Sequence, residues 1–182
     1  MSDKQDTVAS WSVPVQDRIY KIEFEHGTAS GKRVIRVDGK EILRKNWMFS
    51  LVGKEIFNIG KFKCAINVEA LGTFLYEYTL EVNGKSYDKF REDVAKKFKS
   101  WTTVLDGQET RICLDKGTMD IWVNGQKMNT AGEFLENGTK THFEIGHSVC
   151  YVKATSSGNK KFGFIYQLYV NNNEIISSDG SY

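Results

Sequence analysis

The chain has 182 residues, with 25 basic and 23 acidic side chains and a formal net charge of +2. This near balance argues against a dedicated binder of nucleic acid or of another polyanion. No run approaches the roughly 18 apolar residues of a membrane-spanning helix, and the polar N-terminal residues do not resemble a secretory signal. Three cysteines without close pairing suit a reducing compartment. We therefore expect a soluble, intracellular protein that is not inserted into a membrane.

In chain order, alternating apolar and polar residues predict β-strands after a disordered tail at residues 1–10. The alternation is clearest over residues 20–26 and 74–82, which places the apolar set of each segment on one face of a pleated strand. Asp38 and Gly39 separate two further apolar runs. This pair accepts the positive φ values of a tight hairpin turn, so the chain should reverse there.

The second half of the sequence repeats the first. Trp101 follows Trp11 by 90 residues, and the offset falls to 86 after a shorter hairpin loop and rises to 88 after a longer loop. The changes in length fall in loops and the alternation survives on both sides, as expected after a duplication. The fold class that we predict is all-β, with two tandem antiparallel β-sandwich-like domains at residues 11–86 and 101–176. Residues 177–182 would form a second tail.

The segment at residues 87–100 has two interpretations. Tyr87, Phe90, Val94 and Phe98 recur near helical spacing, and Asp88 could cap the start of a short amphipathic helix. The high density of charged residues instead favours a linker between the domains. Both interpretations remain open at this stage.

Catalytic and metal-binding patterns are weak throughout the sequence. There is no nucleophile elbow, and the scattered carboxylates lie opposite the apolar strand faces, as solvated side chains do. His142, His147 and Cys150 are close in sequence, but their spacing matches no common zinc pattern. We therefore expect no enzyme, no catalytic residue, no metal and no cofactor.

The three cysteines have different predicted environments. Cys64 and Cys150 share faces with apolar residues and should be buried thiols. Cys113 alternates with Ile112 and Leu114, so its side chain should point away from the core. On that basis Cys113 is the candidate for oxidation or modification.

Three aromatic residues are candidates for interaction with other molecules. Trp122 and Tyr169 lie opposite the apolar set, where the first copy has Arg36 and Glu81. They either contact another surface or pack against the other sheet or domain. Trp47 belongs to an apolar aromatic segment that has no clear periodicity, and it is the third candidate.

Several segments resemble the Fas apoptotic inhibitory molecule family, in its short form. They include Lys-Ile-Glu-Phe-Glu-His-Gly at residues 21–27, Tyr-Glu-Tyr-Thr-Leu-Glu-Val-Asn-Gly-Lys-Ser at 76–86 and Met-Asp-Ile-Trp-Val-Asn-Gly at 119–125. The resemblance runs from about Trp11 to about Ile175. It implies two tandem β-sandwich domains in a cytoplasmic protein without established catalytic residues.

The resemblance also implies a role. The family is linked to resistance against death-receptor apoptosis, to survival signalling and to protection against protein aggregation. The expected partners are therefore death-receptor or survival-signalling proteins and unfolded or aggregation-prone clients, bound through exposed β surfaces. The alternative hypothesis is a β module that binds a carbohydrate or small ligand with aromatics such as Trp47 or Trp122.

Overall fold

The computed structural model describes residues 7–15, 18–161 and 163–177. Within these residues the chain is built from β-strands and a single helix, and the strands form four antiparallel sheets. The all-β fold class is therefore confirmed. The described residues divide into two compact units. The first contains residues 7–15 and 19–94, and the second contains residue 18 and the described residues from 95 to 177.

The first unit has two sheets of four strands, each in sequential order. The strands of the first sheet are β1 (Thr7–Pro14), β2 (Ile19–His26), β3 (Arg33–Val37) and β4 (Lys40–Lys45). The strands of the second sheet are β5 (Gly53–Ile59), β6 (Phe62–Ala70), β7 (Tyr76–Val82) and β8 (Lys85–Ser86).

The predicted hairpin between β3 and β4 is confirmed. Asp38 and Gly39 have φ values of 51° and 80°, which fit a turn whose two central residues both have positive φ. Side chains from both sheets then form one buried cluster, which includes Ile22, Phe24, Ile35, Phe57, Ile66 and Leu80. Each such side chain contributes about 1.5–3 kcal/mol through its removal from water.

A helix, α1, follows β8 over Tyr87–Lys97. The Ser86 hydroxyl accepts a hydrogen bond from the Lys89 amide at 3.3 Å, and it thereby caps the first turn. Phe90 is buried in the core of the first unit and contacts Phe62 edge-on, with ring centroids 5.9 Å apart. The helical interpretation is thus confirmed for residues 87–97.

The second unit has the same element order with one additional strand. The strands of its first sheet are β9 (Phe98–Leu105), β10 (Gln108–Asp115), β11 (Ile121–Val123) and β12 (Gln126–Lys127). The strands of its second sheet are β13 (Ala131–Leu135), β14 (Gly138–Ile145), β15 (Ser148–Ser156), β16 (Phe164–Val170) and β17 (Asn173–Ile175). Both sheets contribute to a second buried cluster, which includes Trp101, Ile112, Ile121, Phe143, Val152 and Leu168.

The boundaries of the predicted segments differ from the structure at two places. β1 begins at Thr7, so the tail predicted for residues 1–10 was too long, and residues 1–6 lie outside the described chain. β9 begins at Phe98, within the segment that was predicted as a linker. Of the tail predicted at residues 177–182, only Ser177 is described.

Candidate functional site

Cys113 is buried, which contradicts its predicted accessibility. Only 1% of its surface is exposed, although alternation along β10 does place it on the face opposite Ile112 and Leu114. Its neighbours in the sheet are Ser100 and Trp122. The prediction was wrong because period-two alternation assigns a face and does not tell whether that face meets solvent.

Trp122 is half-buried beside Cys113, on β11, one of the two inner strands of its sheet. Its indole Nε1 is buried and has no hydrogen-bond acceptor among the described residues. Such a donor is uncommon, because a buried N–H without a partner loses the hydrogen bond that water would supply. Trp122 therefore presents only part of its ring to the surroundings.

Tyr169 lies on the outer face of the other sheet of the second unit, next to a second tyrosine. Tyr151 and Tyr169 are paired across β15 and β16, and their rings stack with centroids 4.8 Å apart and planes at 18°. His142 occupies the adjoining position on β14, with its ring centroid 5.7 Å from that of Tyr151. We call His142, Tyr151 and Tyr169 the aromatic row.

Charged side chains border the aromatic row. Lys140 Nζ lies 4.8 Å from the centre of the Tyr151 ring, and the His142 Nε2 lies 2.7 Å from a carboxylate oxygen of Glu133. The hydrogen bond from His142 lowers the pKa of Glu133. Burial raises the pKa of Tyr169, with further contributions from Glu174 and Tyr151, so its hydroxyl stays protonated at neutral pH.

The aromatic row is confined to the second unit. At the offsets of 86 and 88 residues that relate the two copies, the first unit has Ile56, Ala65 and Glu81 in these positions. The sequence prediction singled out Tyr169 on this ground and missed Tyr151. The signal was available, because Tyr151 replaces an alanine of the first copy on a predicted outward face.

A cleft of about 510 Å³ adjoins the aromatic row. His142 belongs to both, and the remaining lining residues are Met128, Asn129, Thr130, Ala131, Phe143, Glu144 and Val149. The walls are mainly apolar, with the histidine and a carboxylate as the titratable groups. Such a surface can hold an aromatic or apolar group and donate a hydrogen bond to it.

Trp47 is exposed in the first unit. It has 58% of its surface accessible and contacts Phe49, which is 95% exposed, with ring centroids 4.2 Å apart. The structure therefore does not gather the predicted residues into one site. Trp47 belongs to the first unit, and Trp122 and Tyr169 lie on different sheets of the second.

The first unit holds a buried polar cluster that the sequence did not indicate. The His26 Nδ1 and the Tyr78 hydroxyl are 2.8 Å apart, and the Tyr76 ring contacts the imidazole edge-on. Burial and the nearby Arg33 guanidinium lower the pKa of His26. The aligned pair in the second unit is Lys116 and Tyr166, in which the ammonium lies 5.6 Å from the ring centre.

No group of three or more His, Cys, Asp or Glu side chains in the described ranges is placed to hold a metal ion. The single helix of the described residues is too short and too polar to cross a membrane.

Comparison with known proteins shows the family of this chain. The model of the family described as Fas apoptotic inhibitory molecule (FAIM1) matches residues 7–178. The human protein named Fas apoptotic inhibitory molecule 1 is 56% identical over 172 residues, which cover 93% of this chain and 96% of that protein. The mouse protein of that name is 55% identical with the same coverage, and the bovine one is 55% identical over 86% of its length. The chain belongs to the Fas apoptotic inhibitory molecule family.

Proposed function

We propose that this chain is a cytoplasmic, non-enzymatic protein that restrains death-receptor apoptosis and supports survival signalling by binding other proteins. The observation that carries the proposal is family membership, because relatives named Fas apoptotic inhibitory molecule 1 match 93% of the chain at 55–56% identity. Identity at this level over nearly the whole chain supports a role shared with these relatives.

The aromatic row is the surface to which we assign the binding of partner proteins, unfolded clients included. Tyrosines supply a large contact area at a small cost in side-chain entropy, and they are enriched among the residues that dominate binding energy. The stacked Tyr151 and Tyr169 rings are already held in place, and Lys140 and Glu133 border the row with both signs of charge. The partner surface would be apolar at its centre and polar at its rim.

The two compact units are, in this proposal, tandem domains that arose by duplication, at about residues 11–86 and 101–176. Their shared order of strands and the alignment of their buried residues support this view. The duplication also explains how the second copy could gain an aromatic row on a face that the first copy keeps largely polar.

We further propose a holdase activity toward unfolded clients. Large apolar side chains stand exposed in both units, among them Phe49, Phe74 and Phe134, each more than 90% accessible. Scattered exposed aromatics of this kind offer contacts to the apolar segments of an unfolded chain. The activity would be stoichiometric, since holding a client requires no chemical step.

The proposed signalling role is tested in cells exposed to Fas ligand. We expect the chain to lower caspase activation and the double variant Tyr151→Ser/Tyr169→Ser to lose this effect. The variant Glu81→Ser alters the aligned position of the first unit and serves as the matched control. Equal protection by the double variant and by the parent chain would remove the aromatic row from the proposal.

The holdase activity has its own test. Light scattering by reduced α-lactalbumin should fall when the chain is added at near-stoichiometric amounts. Undiminished scattering would contradict the holdase proposal. The signalling role would be unaffected, because the cell experiment tests it separately.

A second candidate is the binding of a carbohydrate or small ligand. The cleft of about 510 Å³ beside a stacked tyrosine pair favours it, because this volume lies within the range of small-ligand pockets. Thermal stabilisation by one member of a glycan panel, lost in Tyr151→Ser, would support this candidate. No stabilisation by any member would exclude the glycans tested.

A further inference from the structure

The sheet edges of the two units differ at aligned strands. β5 and β14 correspond at an offset of 86 residues, which aligns Phe57 with Phe143 and Ile59 with Ile145. In the second unit β13 pairs with the outer edge of β14 along five residue pairs. In the first unit β5 is the outermost strand of its sheet among the described residues.

The segment of the first unit that aligns with β13 is long enough to cover β5, but this part of the chain forms hydrogen bonds to other residues. Residues 45–49 align with β13, yet beyond Lys45 they form no strand. The Met48 amide donates to the Ser30 carbonyl at 3.0 Å. The Arg33 guanidinium donates to the carbonyls of Ser50 and Val52, at 3.3 and 2.8 Å.

Arg33 explains why the second unit differs. The residue aligned with Arg33 is Met119, whose side chain has no N–H with which to hold carbonyl groups. Released from such an anchor, the aligned segment of the second unit can form β13 on the edge of its sheet. The first unit keeps its segment beside β3 and leaves β5 without a strand on its outer side.

The outer edge of β5 has backbone N–H and C=O groups that could pair with another strand. β5 and β6 meet in a two-residue turn that is closed by the Ile59–Phe62 pair. In an antiparallel ladder, alternate residues direct their N–H and C=O groups to opposite sides. Lys54, Ile56 and Asn58 therefore present their N–H and C=O groups to the open side of β5. Lys54 aligns with the β14 residue that pairs with Glu133, and Ile56 aligns with the β14 residue that pairs with Ala131.

We propose that the β5 edge of the first unit binds an extended segment of a partner protein as an added antiparallel strand. The register follows β13, so the added strand would place an acidic residue opposite Lys54 and a small apolar residue opposite Ile56, which is 55% exposed. Main-chain hydrogen bonds would supply the affinity, and these two positions would supply the selectivity. This inference deepens the proposed binding role and rests on it.

The probe for this inference is a synthetic peptide with the sequence of residues 129–137, added to the isotope-labelled full chain. We expect the amide NMR signals of Lys54, Ile56 and Asn58 to shift and their exchange with solvent to slow. Ile56→Pro should weaken binding about tenfold, since proline removes one outward N–H and obstructs the edge. Ile56→Ala removes the same side chain but keeps the N–H, so it is the matched control and should weaken binding clearly less than Ile56→Pro does.

A charge exchange keeps the inference testable if the proline variant does not fold. Lys54→Glu should weaken binding of this peptide. A second peptide, with lysine in place of the central glutamate, should bind the Lys54→Glu variant better than it binds the parent chain. Signal changes confined to the aromatic row or to β14, or no change at β5, would overturn the inference. If the amide signals of β5 do not change while the chain still suppresses client aggregation, the inference about the β5 edge fails and the proposed function stands.

Discussion

Arg33 and Glu55 form an ion pair of 2.8 Å, and only 1% and 4% of their side-chain surfaces are exposed. Lys45 Nζ reaches the same carboxylate at 2.9 Å. At the aligned positions the second unit has Met119 and Thr141, which carry no charge. The first unit thus contains a buried Arg33–Glu55 pair, joined by the exposed Lys45, and Arg33 also anchors the segment before β5.

Replacement of Arg33 by methionine should destabilise the first unit by about 3–5 kcal/mol, because Glu55 stays buried and loses its main partner. The double variant Arg33→Met/Glu55→Thr copies the aligned residues of the second unit and removes both buried charges. We expect it to lose less free energy of unfolding than Arg33→Met alone. Urea titration followed by amide signals of the first unit measures both, and a double variant that is less stable than Arg33→Met would contradict this account.

The buried His26 should make the stability of the first unit depend on pH. Its pKa in the folded chain lies below the ordinary value of 6.5, because of burial and the Arg33 charge. As the pH falls through 6.5 the unfolded chain takes up a proton first, so the stabilisation present above this pH is lost below it. The loss is at most about 1.4 kcal/mol per pH unit.

The His26 contribution is isolated by comparison with a variant that does not titrate. His26→Gln should flatten the decline in the urea midpoint between pH 7 and pH 5, with the amide signals of the first unit as the observable. His142→Gln is the matched control, because it changes an imidazole on the surface of the second unit. An unchanged decline in His26→Gln would show that other groups cause it.

The cysteines should resist thiol reagents in the folded chain. Cys64, Cys113 and Cys150 are all buried, and burial raises the pKa of Cys64 to about 11. At pH 8 this leaves about one thiolate in a thousand at Cys64, even before access is considered. We expect a disulfide reagent to label none of the three quickly in buffer and all three in urea. Rapid modification of Cys113 in buffer would restore the role that its sequence pattern suggested.

Two glycines of the second unit should respond in opposite ways to alanine. At Gly138 an added Cβ would lie 1.9 Å from the Ala154 carbonyl oxygen, whereas at Gly132 it would meet nothing within 4 Å. Gly138→Ala should therefore cost about 2 kcal/mol or more through a shift of β14 against β15. Gly132→Ala, in β13, should be neutral or slightly stabilising. Equal melting temperatures for the two variants would contradict this packing of β14 and β15.

The strands and turns could be predicted because their signals are local. Alternation located most of the long strands, and Asp38-Gly39 marked a turn through its tolerance of positive φ. The sequence did not decide between a helix and a charged linker at residues 87–97, because the short apolar stripe favours the first and the density of charges favours the second. It forms where Phe90 finds a place in the core of the first unit, a contact that local pattern does not reveal.

The candidate site was harder to predict because it depends on pairing between strands. Tyr169 was identified from its place in the repeat, and the same signal was overlooked at Tyr151. That these two tyrosines and His142 lie side by side became evident only from the register of β14, β15 and β16. Cys113 shows the opposite error, since its face was assigned correctly and its burial was not. A strand pattern gives the direction of a side chain and leaves open what lies beyond it.

The claim that the outer face of the second unit binds proteins is tested most directly by site-specific photocrosslinking. Benzoylphenylalanine is placed at Tyr169 in one sample and, as the control, at the aligned Glu81 in another, and each is irradiated with reduced α-lactalbumin. The account predicts crosslinks to the client from position 169 well above those from position 81. Equal yields from the two positions, with the client held in solution, would contradict it.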